Sequence, residues 1–557
     1  MYRLQCGSLL IIEVCKMRIG IDFGMTNSTI SHYDDAKRNT LEALVSFRPD
    51  AATNEYIPSI ITYNKTGNIS IGNVAKANAT KQSVDAYENF KLHLGRNFND
   101  PIAGKSKTPN EVTSDYIREL LELFKSKHRK GNKIEYIVMT VPEIWTNEKN
   151  NRVTRDNLQD IFEQLGYFDV QLVSEPAAAA AYFCHAHQLD LNSNPSKSGY
   201  SGDLVVVDYG GGTLDVTLCR VANSKITILE RCGSGEDEKT KGCAGVAFDE
   251  AVVEKLIKDN NLAIKLGSIQ FVKLRNKFEE LKRLEVNEIR RQLEYYFSGP
   301  EGPEILEGEV LFSIECGDDG QEINVTCEDL AESFRIVNAP VLVSALNEIN
   351  RHFAKYKTDS ASQENFKVLL VGGFCNFYAV EAEVRKFFKS KTWEEDARFV
   401  QPFELIDRSF AISKGAALIA KDLISVEQVC PYDIGYIMIT GDEHGNSIKK
   451  DVVVIRRGES LSDSREVKFS GIPITLYSAM DTFEVFIDDK DSKSFIRQQA
   501  TLRNVANSSK SLSHSQNSVF KIGFSVNRNL IPTIHIKNEN EDTVHLSLNK
   551  LMDAVDS

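Results

Sequence analysis

The stretch VVVDYGGGTLDVTL, residues 205–218, places three consecutive glycines between two runs rich in valine and leucine. Glycine weakens a strand because it loses more backbone freedom on folding than any other residue. The triplet therefore indicates either a tight hairpin that needs positive φ angles or a turn whose N–H groups lie against a ligand. Taken alone, the stretch does not decide between the two.

A second stretch, IGIDFGMTNSTI at residues 19–30, repeats the order of apolar strand, aspartate, aromatic residue, glycine and further strand, so that Asp22 corresponds to Asp208. We expect a duplicated fold with paired loops facing each other across a cleft. Turn N–H groups bind phosphate, and a neighbouring aspartate holds hydrated Mg²⁺. A third loop, KVLLVGGFCNF at residues 367–377, lacks the aspartate, as expected for a loop over a base or ribose.

These segments resemble the nucleotide-binding motifs of the actin, hexokinase and heat-shock ATPase superfamily, and most closely those of the seventy-kilodalton heat-shock chaperones. The resemblance covers about residues 18–424, with a weaker match beyond. It implies an α/β fold in which a two-lobed actin-like (ribonuclease H-like) ATPase domain precedes a small all-β sandwich. Further segments follow in the family's order: IPSIITYN (57–64), VDAYENFKLHLGR (84–96), IVMTVPEIW (137–145), VSEPAAAAAYF (173–183) and FEELKRLE (278–285).

The loops and the resemblance together predict a site for ATP or ADP with Mg²⁺ and K⁺. Asp22 and Asp208 are expected to hold Mg²⁺ through its waters. The resemblance implies that Lys91 reaches the terminal phosphate and attacking water, and that Glu175 and Asp215 help to organise metal, water and cations. The residues predicted to contact the phosphates are Gly24, Met25, Thr26, Asn27, Gly210, Gly211, Gly212 and Thr213.

For the nucleoside, the resemblance implies a charged triplet opposite a glycine loop. An ion-pair face and a solvated lysine are the ordinary alternatives for such a triplet and for Lys91, and Glu175 beside a proline is an ordinary helix start. Adenine as the base comes from the resemblance. The residues implied are Glu279, Lys282 and Arg283, spaced to lie on one helix side, with Gly372, Gly373 and Phe374 opposite.

Several positions depart from the family's pattern. Met25 replaces a hydroxyl residue of the first phosphate loop, so hydrolysis is expected to be slow. Val286, Phe374 and Asn376 replace polar residues near the base, which predicts weaker base affinity.

After residue 424, short runs alternate apolar and polar residues, which predicts a β-sandwich similar to the chaperones' peptide-binding domain. The apolar segment at 422–429 is expected to dock on the first domain, and residues 497–518 are expected to form a mobile loop. The family's helical lid has no counterpart before Ser557, so a bound peptide is expected to leave quickly. The alternating runs are residues 433–440, 449–457, 482–489, 520–526, 533–538 and 543–548.

Length and composition fit a soluble, multidomain protein: 557 residues, 42% hydrophobic and 26% charged. The net charge of −13 disfavours nucleic-acid and membrane surfaces. Ten scattered cysteines without a C-x-x-C pair fit the reducing cytoplasm. We expect a leader or start-site extension at 1–16, an ATPase domain at 17–424 and a substrate-binding-like domain at 425–557.

The predicted function is that of an ATP-dependent chaperone whose nucleotide state controls binding of unfolded polypeptide. A J-domain co-chaperone and a nucleotide-exchange factor are the further partners that the resemblance implies. The alternative is a nucleotide-sensing scaffold with little or no hydrolysis. A metabolite kinase of the same superfamily is disfavoured by the C-terminal strands and the Lys91 segment.

Overall fold

A computed structural model gives the fold of most of the chain. Residues 1–15, which include most of the expected leader, lie outside the described residues. The structure describes residues 16–34, 40–44, 46–47, 54–55, 57–79, 81, 83–95, 101–102, 105–127, 133–143, 145, 153–193, 200–222, 224–235, 243–299, 301–316, 321–355, 366–389, 398–399, 405–441, 447–461, 466–476, 482–489, 494–501, 505 and 518–553.

The first sheet contains the strand that ends beside Asp22. That strand, Lys16–Phe23, pairs in parallel with Lys133–Val141 and antiparallel with Asn27–Asp34. The tight turn between this strand and Asn27–Asp34 is the predicted first phosphate loop. The order across the sheet is Val170–Ser174, Lys133–Val141, Lys16–Phe23, Asn27–Asp34 and Thr40–Leu44, with Ile57–Pro58 also pairing with Asn27–Asp34.

The second sheet repeats this arrangement around Asp208. Its strand Gly202–Tyr209 pairs in parallel with Phe366–Val371 and antiparallel with Thr213–Ala222, and the glycine triplet forms the turn. Asp22 and Asp208 thus occupy equivalent ends of equivalent strands, as the repeat in the sequence predicts. The order across the sheet is Phe366–Val371, Gly202–Tyr209, Thr213–Ala222, Lys225–Gly235 and Ser425–Glu427.

Helices pack on these sheets, and two of them, Glu175–Ser193 and Leu405–Ala420, cross very closely. The alanines Ala177–Ala181 are almost fully buried, and a Cβ at Gly415 would overlap the carbonyl group of Ala178. The helices are Gly72–Asn78, Pro109–Lys127, Val153–Gln164, Glu175–Ser193, Gly245–Asp259, Ile269–Leu284, Val286–Ser298, Gly302–Ile305, Cys327–Val337, Ala339–Lys355, Tyr378–Phe387, Leu405–Ala420 and Leu548–Asp553, with 3₁₀ turns at Phe90–Gly95 and Gly373–Asn376.

Three smaller sheets complete the N-terminal part. One of them, built by Val310–Cys316 and Gln321–Thr326, contributes to the core beneath the helix Ile269–Leu284. The other two pair Ser46–Phe47 with Asn54–Glu55, and Ile61–Asn64 with both Ile69–Ile71 and Val84–Tyr87.

The C-terminal part forms two antiparallel sheets that share one apolar core, because Val485 of one sheet and Phe524 of the other belong to the same buried cluster. Each of the six alternating runs contains a strand, as predicted. The first sheet runs Ser447–Ile455, Asp433–Gly441, Thr482–Asp489 and Ser494–Thr501; the second runs Lys468–Phe469, Ser518–Val526, Pro532–Lys537 and Thr543–Ser547, with Ile474–Leu476 also on Ser518–Val526.

The expected loop at 497–518 is wrong at its start, since residues 497–501 complete the strand Ser494–Thr501. The signal was weak because Ala500, which is fully buried there, is small and stands among polar neighbours. Most of residues 502–517 lie outside the described residues. The predicted docking of the linker is observed, because Ser425–Glu427 pairs in parallel with Lys225–Gly235.

The C-terminal sheets contact the edge of the first sheet through one hairpin turn. The side chain of Asn529, 3% exposed, accepts a hydrogen bond from the N–H of Leu172 at 2.8 Å and donates to the carbonyl of Val170 at 3.2 Å. Its amide therefore supplies the pairing that a neighbouring strand would otherwise supply. Its backbone carbonyl accepts a hydrogen bond from the buried Arg155 at 3.2 Å.

We expect Asn529→Ala to weaken this contact, because it leaves the backbone groups of Leu172 and Val170 without their partner, at a cost of about 2 kcal/mol. Hydrogen exchange at the Leu172 amide should accelerate by about tenfold or more. Asn540→Ala, at an exposed position in the next turn, is the matched control. Equal exchange rates in the two variants would contradict the assignment.

Candidate functional site

A narrow cleft of ≈ 120 Å³ brings most of the predicted site together. The two phosphate loops form facing walls. Thr29 and Ile412 also line the cleft, although neither was predicted. The predicted residues that line it are Asp22, Gly24, Met25, Thr26, Asn27, Lys91, Glu175, Asp208, Gly210, Gly211, Gly212, Thr213, Gly372 and Gly373.

The two loops pack against each other. A Cβ at Gly211 would lie 2.6 Å from Cγ2 of Thr26, and a Cβ at Gly212 would lie 2.7 Å from Cγ of Met25. Ordinary side chains at these two glycines would therefore push the loops apart. Gly372 has a φ of 86°, and a Cβ there would lie 2.5 Å from Oδ1 of Asp208.

Each loop is also held from outside the cleft. The hydroxyl of Ser59 donates to the carbonyl of Gly24 at 2.7 Å, and its N–H donates to the carbonyl of Thr26 at 2.8 Å. The N–H groups of Gly245 and Val246, at the start of a helix, donate to the carbonyls of the second loop at 3.1 and 2.8 Å. Sequence reasoning missed Ser59 as a loop support, although it lies in the quoted segment at 57–64.

The aspartates of the cleft resist ionisation. Burial raises the pKa of Asp22 to about 7, Glu175 adds to this by repulsion, and Lys91 and Thr140 oppose it. Burial likewise raises the pKa of Asp208, and the neighbouring charges of Glu175, Asp215 and Asp22 raise it further. The described residues of the cleft thus place three carboxyl groups, those of Asp22, Asp208 and Glu175, beside the one ammonium of Lys91.

Lys91 is the cation of the cleft and is itself buried. Its ammonium donates to the carbonyl of Phe23 and to Oε1 of Glu175, the latter at 3.2 Å. It also lies 5.2 Å from the ring centroids of Phe23 and Trp145, within the range of a cation–π interaction. The alternative of a solvated lysine is therefore wrong.

Asp215 lies one layer deeper than the cleft. Burial raises its pKa, as do the charges of Glu175 and Glu143. Its Oδ1 accepts a hydrogen bond from the N–H of Glu143 at 3.0 Å. The Glu143 carboxylate is fully buried, accepts from Thr217 at 3.3 Å and pairs with Arg231 at 3.4 Å. Glu143 was not predicted, because its role depends on strands far apart in the sequence.

A divalent cation that keeps its waters fits two carboxylates here, whereas the described residues contain no group of three or more His, Cys, Asp or Glu side chains placed to hold a metal directly. Oδ2 of Asp208 and Oδ2 of Asp215 are both buried with no hydrogen-bond partner among the residues that the structure describes. Carboxylates with free lone pairs beside phosphate-sized space are the ligands that hydrated Mg²⁺ prefers. Mg²⁺ would also relieve the repulsion that raises the aspartate pKa values.

Of the residues predicted for the nucleoside, only Gly372 and Gly373 line the cleft, and the charged triplet and Phe374 lie outside its lining. Lys282 forms an ion pair with the buried Asp249, while Glu279 pairs with Lys76 at 3.7 Å and with Arg283 at 3.9 Å. All three predicted charged residues lie on the helix Ile269–Leu284, as their spacing predicts. Phe374 is buried, and its ring packs in an aromatic cluster with centroids 5.0 Å from Tyr209 and 5.2 Å from Phe248.

A comparison with protein-family models matches this chain to the family described as Hsp70 protein, over residues 18–108 and 99–470. The match covers both phosphate loops, Lys91 and the nucleoside segment, and it continues into the C-terminal strands. The chain belongs to the Hsp70 family. Its mixed α/β structure with paired sheets is consistent with the actin-like ATPase fold of Hsp70 proteins, and membership supports a chaperone-like, ATP-binding function at the level of the family.

Among the described residues, no helix combines the length and apolar character that crossing a membrane requires.

The unliganded protein should lose stability as the pH rises. The pKa of Asp22 is raised from 3.8 to about 7 in the folded state, so folding takes up protons between these values and the free energy of unfolding falls as the pH rises through them. We expect Asp22→Asn to raise the free energy of unfolding at pH 8 by about 2 to 4 kcal/mol and to leave it nearly unchanged at pH 4.

Urea unfolding of the nucleotide-free protein at both pH values measures this effect. Asp85→Asn, at an exposed position, is the matched control and should change neither value. If Asp22→Asn changed the free energy of unfolding by the same amount at pH 4 and at pH 8, the raised pKa of Asp22 would not be the cause.

Proposed function

We propose that the chain binds Mg–ATP in this cleft, hydrolyses it slowly, and uses the nucleotide state to control binding of unfolded polypeptide segments. The observation that carries the proposal is the meeting of Asp22, Asp208, Lys91 and Glu175 in one cleft between two equivalent sheets. Membership of the Hsp70 family, whose members are ATPases, supports the same conclusion.

The two loops would hold the phosphates. Thr26, Gly211 and Thr213 line the cleft, and the backbone N–H groups of such turns are suited to phosphate oxygens. Asp22 and Asp208 would hold Mg²⁺ through its waters, with Asp215 behind them. When bound, Mg²⁺ supplies the positive charge that phosphoryl transfer needs on the non-bridging oxygens.

Lys91 and Glu175 would serve the hydrolytic step. Water attacks the terminal phosphorus, the bond to the bridging oxygen breaks, and ADP and phosphate leave. The Lys91 ammonium would stabilise charge on the terminal phosphate, and Glu175 keeps that ammonium in place through their 3.2 Å ion pair. Met25 brings an apolar side chain to the same loop, which favours a slow reaction.

The C-terminal sheets would bind the polypeptide. Within this proposal, residues 17–424 form the ATPase domain and residues 425–557 form a β-sandwich with a substrate-binding role. The linker strand Ser425–Glu427 and the Asn529 contact join the two and would carry the nucleotide signal. We further propose that a J-domain co-chaperone and a nucleotide-exchange factor act on the protein, and that it works in the cytoplasm.

A nucleotide-sensing scaffold is the second candidate, and Met25 is the observation that favours it. Its side chain contacts the region of Gly212 and is 8% exposed, so it occupies space between the loops without offering a hydroxyl. Such a protein would bind Mg–ATP and change shape but would hardly hydrolyse the nucleotide.

Single-turnover hydrolysis separates the two candidates. We expect slow turnover by the wild type, loss of at least about a hundredfold in Lys91→Ala, and a severalfold gain in Met25→Thr, which restores a hydroxyl to the loop. Lys273→Ala, at an exposed position, is the matched control. A wild type as inactive as Lys91→Ala, with Mg–ATP still bound, would favour the scaffold.

Peptide affinity should depend on the nucleotide. We expect the Kd for a fluorescent unfolded peptide to differ between the Mg–ATP and Mg–ADP states by about 5- to 150-fold, the usual range of coupling between sites. Asn529→Ala should reduce this ratio because it weakens the contact between the C-terminal sheets and the first sheet. Equal affinities in both states would refute the coupling.

A further inference from the structure

The helix Val286–Ser298 has a buried side and a side that lines a surface groove. Its residues Ile289, Leu293 and Tyr296 are buried and belong to the apolar core of this part of the chain. Their spacing of four and three residues places them on one side of the helix. Other residues of the helix, together with Glu309 from the following segment, line an open groove of ≈ 590 Å³, which we call the acidic groove. The lining residues are Arg291, Gln292, Glu294, Tyr295 and Glu309.

Large apolar side chains are exposed at the acidic groove and beside it. Tyr295, which lines the groove, is 46% exposed, and Val310, which follows Glu309 in the chain, is 49% exposed. Ile305, on the short helix between these two residues, is 55% exposed. Exposed apolar surface bordered by polar residues is typical of a site where another molecule binds. The groove therefore offers a partner apolar contact as well as charge.

The turn that brings Glu309 back to the helix is closely packed. A Cβ at Gly302 would lie 2.5 Å from the carbonyl oxygen of Tyr295 and 2.7 Å from that of Tyr296. The short helix Gly302–Ile305 thus lies directly on the end of the longer helix, and Leu306 after it is buried in the same core. A surface held in this way is formed before a partner arrives, which lowers the cost of binding.

Negative charge is concentrated in the segment that builds the groove. Residues 292–334 contain twelve Asp and Glu residues and no Lys, Arg or His, so they carry a formal charge of −12, against −13 for the whole chain. The rest of the chain together carries only −1, the difference between these two values. No basic side chain of the described residues forms a salt bridge with the five exposed glutamates at and just after the helix, which are Glu294, Glu301, Glu304, Glu307 and Glu309.

The one basic residue that lines the groove is already paired. Arg291 donates from Nε and Nη2 to the two carboxylate oxygens of Glu288 at 3.0 and 2.6 Å. This pair lies within one turn of the helix, so the guanidinium is held beside Glu288. The charges of Glu294 and Glu309 are therefore left for a cation that comes from outside.

This charge excludes several classes of partner. Nucleic acids and anionic membrane surfaces carry the same sign and are repelled. The described residues contain no group of three or more side chains placed to hold a metal ion. A second copy of the chain brings a further net charge of −13. A polypeptide segment rich in lysine and arginine has the opposite charge, and its long aliphatic stems can pack on apolar side chains while the head groups stay in water.

We propose that the acidic groove docks a lysine- and arginine-rich segment of a partner protein. The basic head groups meet Glu294 and Glu309, and the aliphatic stems lie on Tyr295 and Val310. None of the residues that line the groove also lines the nucleotide cleft, so this inference is independent of the proposed function.

Fluorescence anisotropy of the full chain with a labelled peptide of alternating lysine and leucine tests the inference, with a glutamate–leucine peptide for comparison. The lysine peptide should bind about tenfold tighter or more, and less tightly as salt rises. Combining Glu294→Lys with Glu309→Lys should weaken it by about tenfold or more. The matched control combines Asp85→Lys with Glu163→Lys, which makes the same change in net charge at exposed positions elsewhere. Equal losses in the two double variants, or no preference for the lysine peptide, would overturn the inference.

Two single variants give readouts that misfolding would not produce. Arg291→Ala removes the competing cation and should tighten binding of the lysine peptide severalfold, whereas weaker binding would overturn the inference. Val310→Ser removes apolar contact alone, so it should weaken binding and leave the salt dependence unchanged. Sedimentation of the peptide-free protein provides a further check. A wild-type dimer that is lost when Glu294→Lys and Glu309→Lys are combined would assign the groove to a second copy of the chain and overturn the inference.

Discussion

Repulsion among buried carboxylates is the main constraint on the two glycine-containing loops of the cleft. Asp22, Asp208 and Glu175 share one cleft in which Lys91 is the one lysine among the described lining residues, and burial together with mutual repulsion keeps the aspartate pKa values high. Such a group is costly in an empty protein and favourable around a divalent cation. The cleft therefore has an excess of negative groups, and Asp22 and Asp208 are both held within paired strands.

Buried charge continues from the cleft toward the C-terminal sheets. Asp215 contacts the backbone of Glu143, whose carboxylate pairs with Arg231. Burial lowers the pKa of the nearby Arg155 to about 10, and the charge of Arg231 lowers it further against the opposing effect of Glu143. Arg155 also donates a hydrogen bond to the carbonyl of Asn529. It therefore links the charged groups behind the cleft, Glu143 and Arg231, to the contact with the C-terminal sheets.

The sequence was sufficient to predict features encoded by local pattern. The carboxylate at a strand end, the glycine turn and the alternating C-terminal strands each lie within about ten residues, so Asp22, Asp208 and the six runs were found. Two contacts could not be predicted in this way: the ion pair of Lys282 with Asp249 and the hydrogen bonds of Asn529 to the edge strand. Each joins segments that only the tertiary fold brings together. The same holds for Glu143, which looks like an ordinary surface residue in the sequence.

Contact between the two loops explains the glycine triplet, independently of the ligand binding that we propose for it. Positive φ angles do not explain the triplet, since Gly210, Gly211 and Gly212 are not among the described glycines that have them. What the turn requires is the absence of side chains, because Thr26 and Met25 of the facing loop occupy that space. Bare backbone thus lets two loops from different sheets approach closely, as the proposed binding of one ligand by both loops requires, and the glycines place no side chains over their own N–H groups.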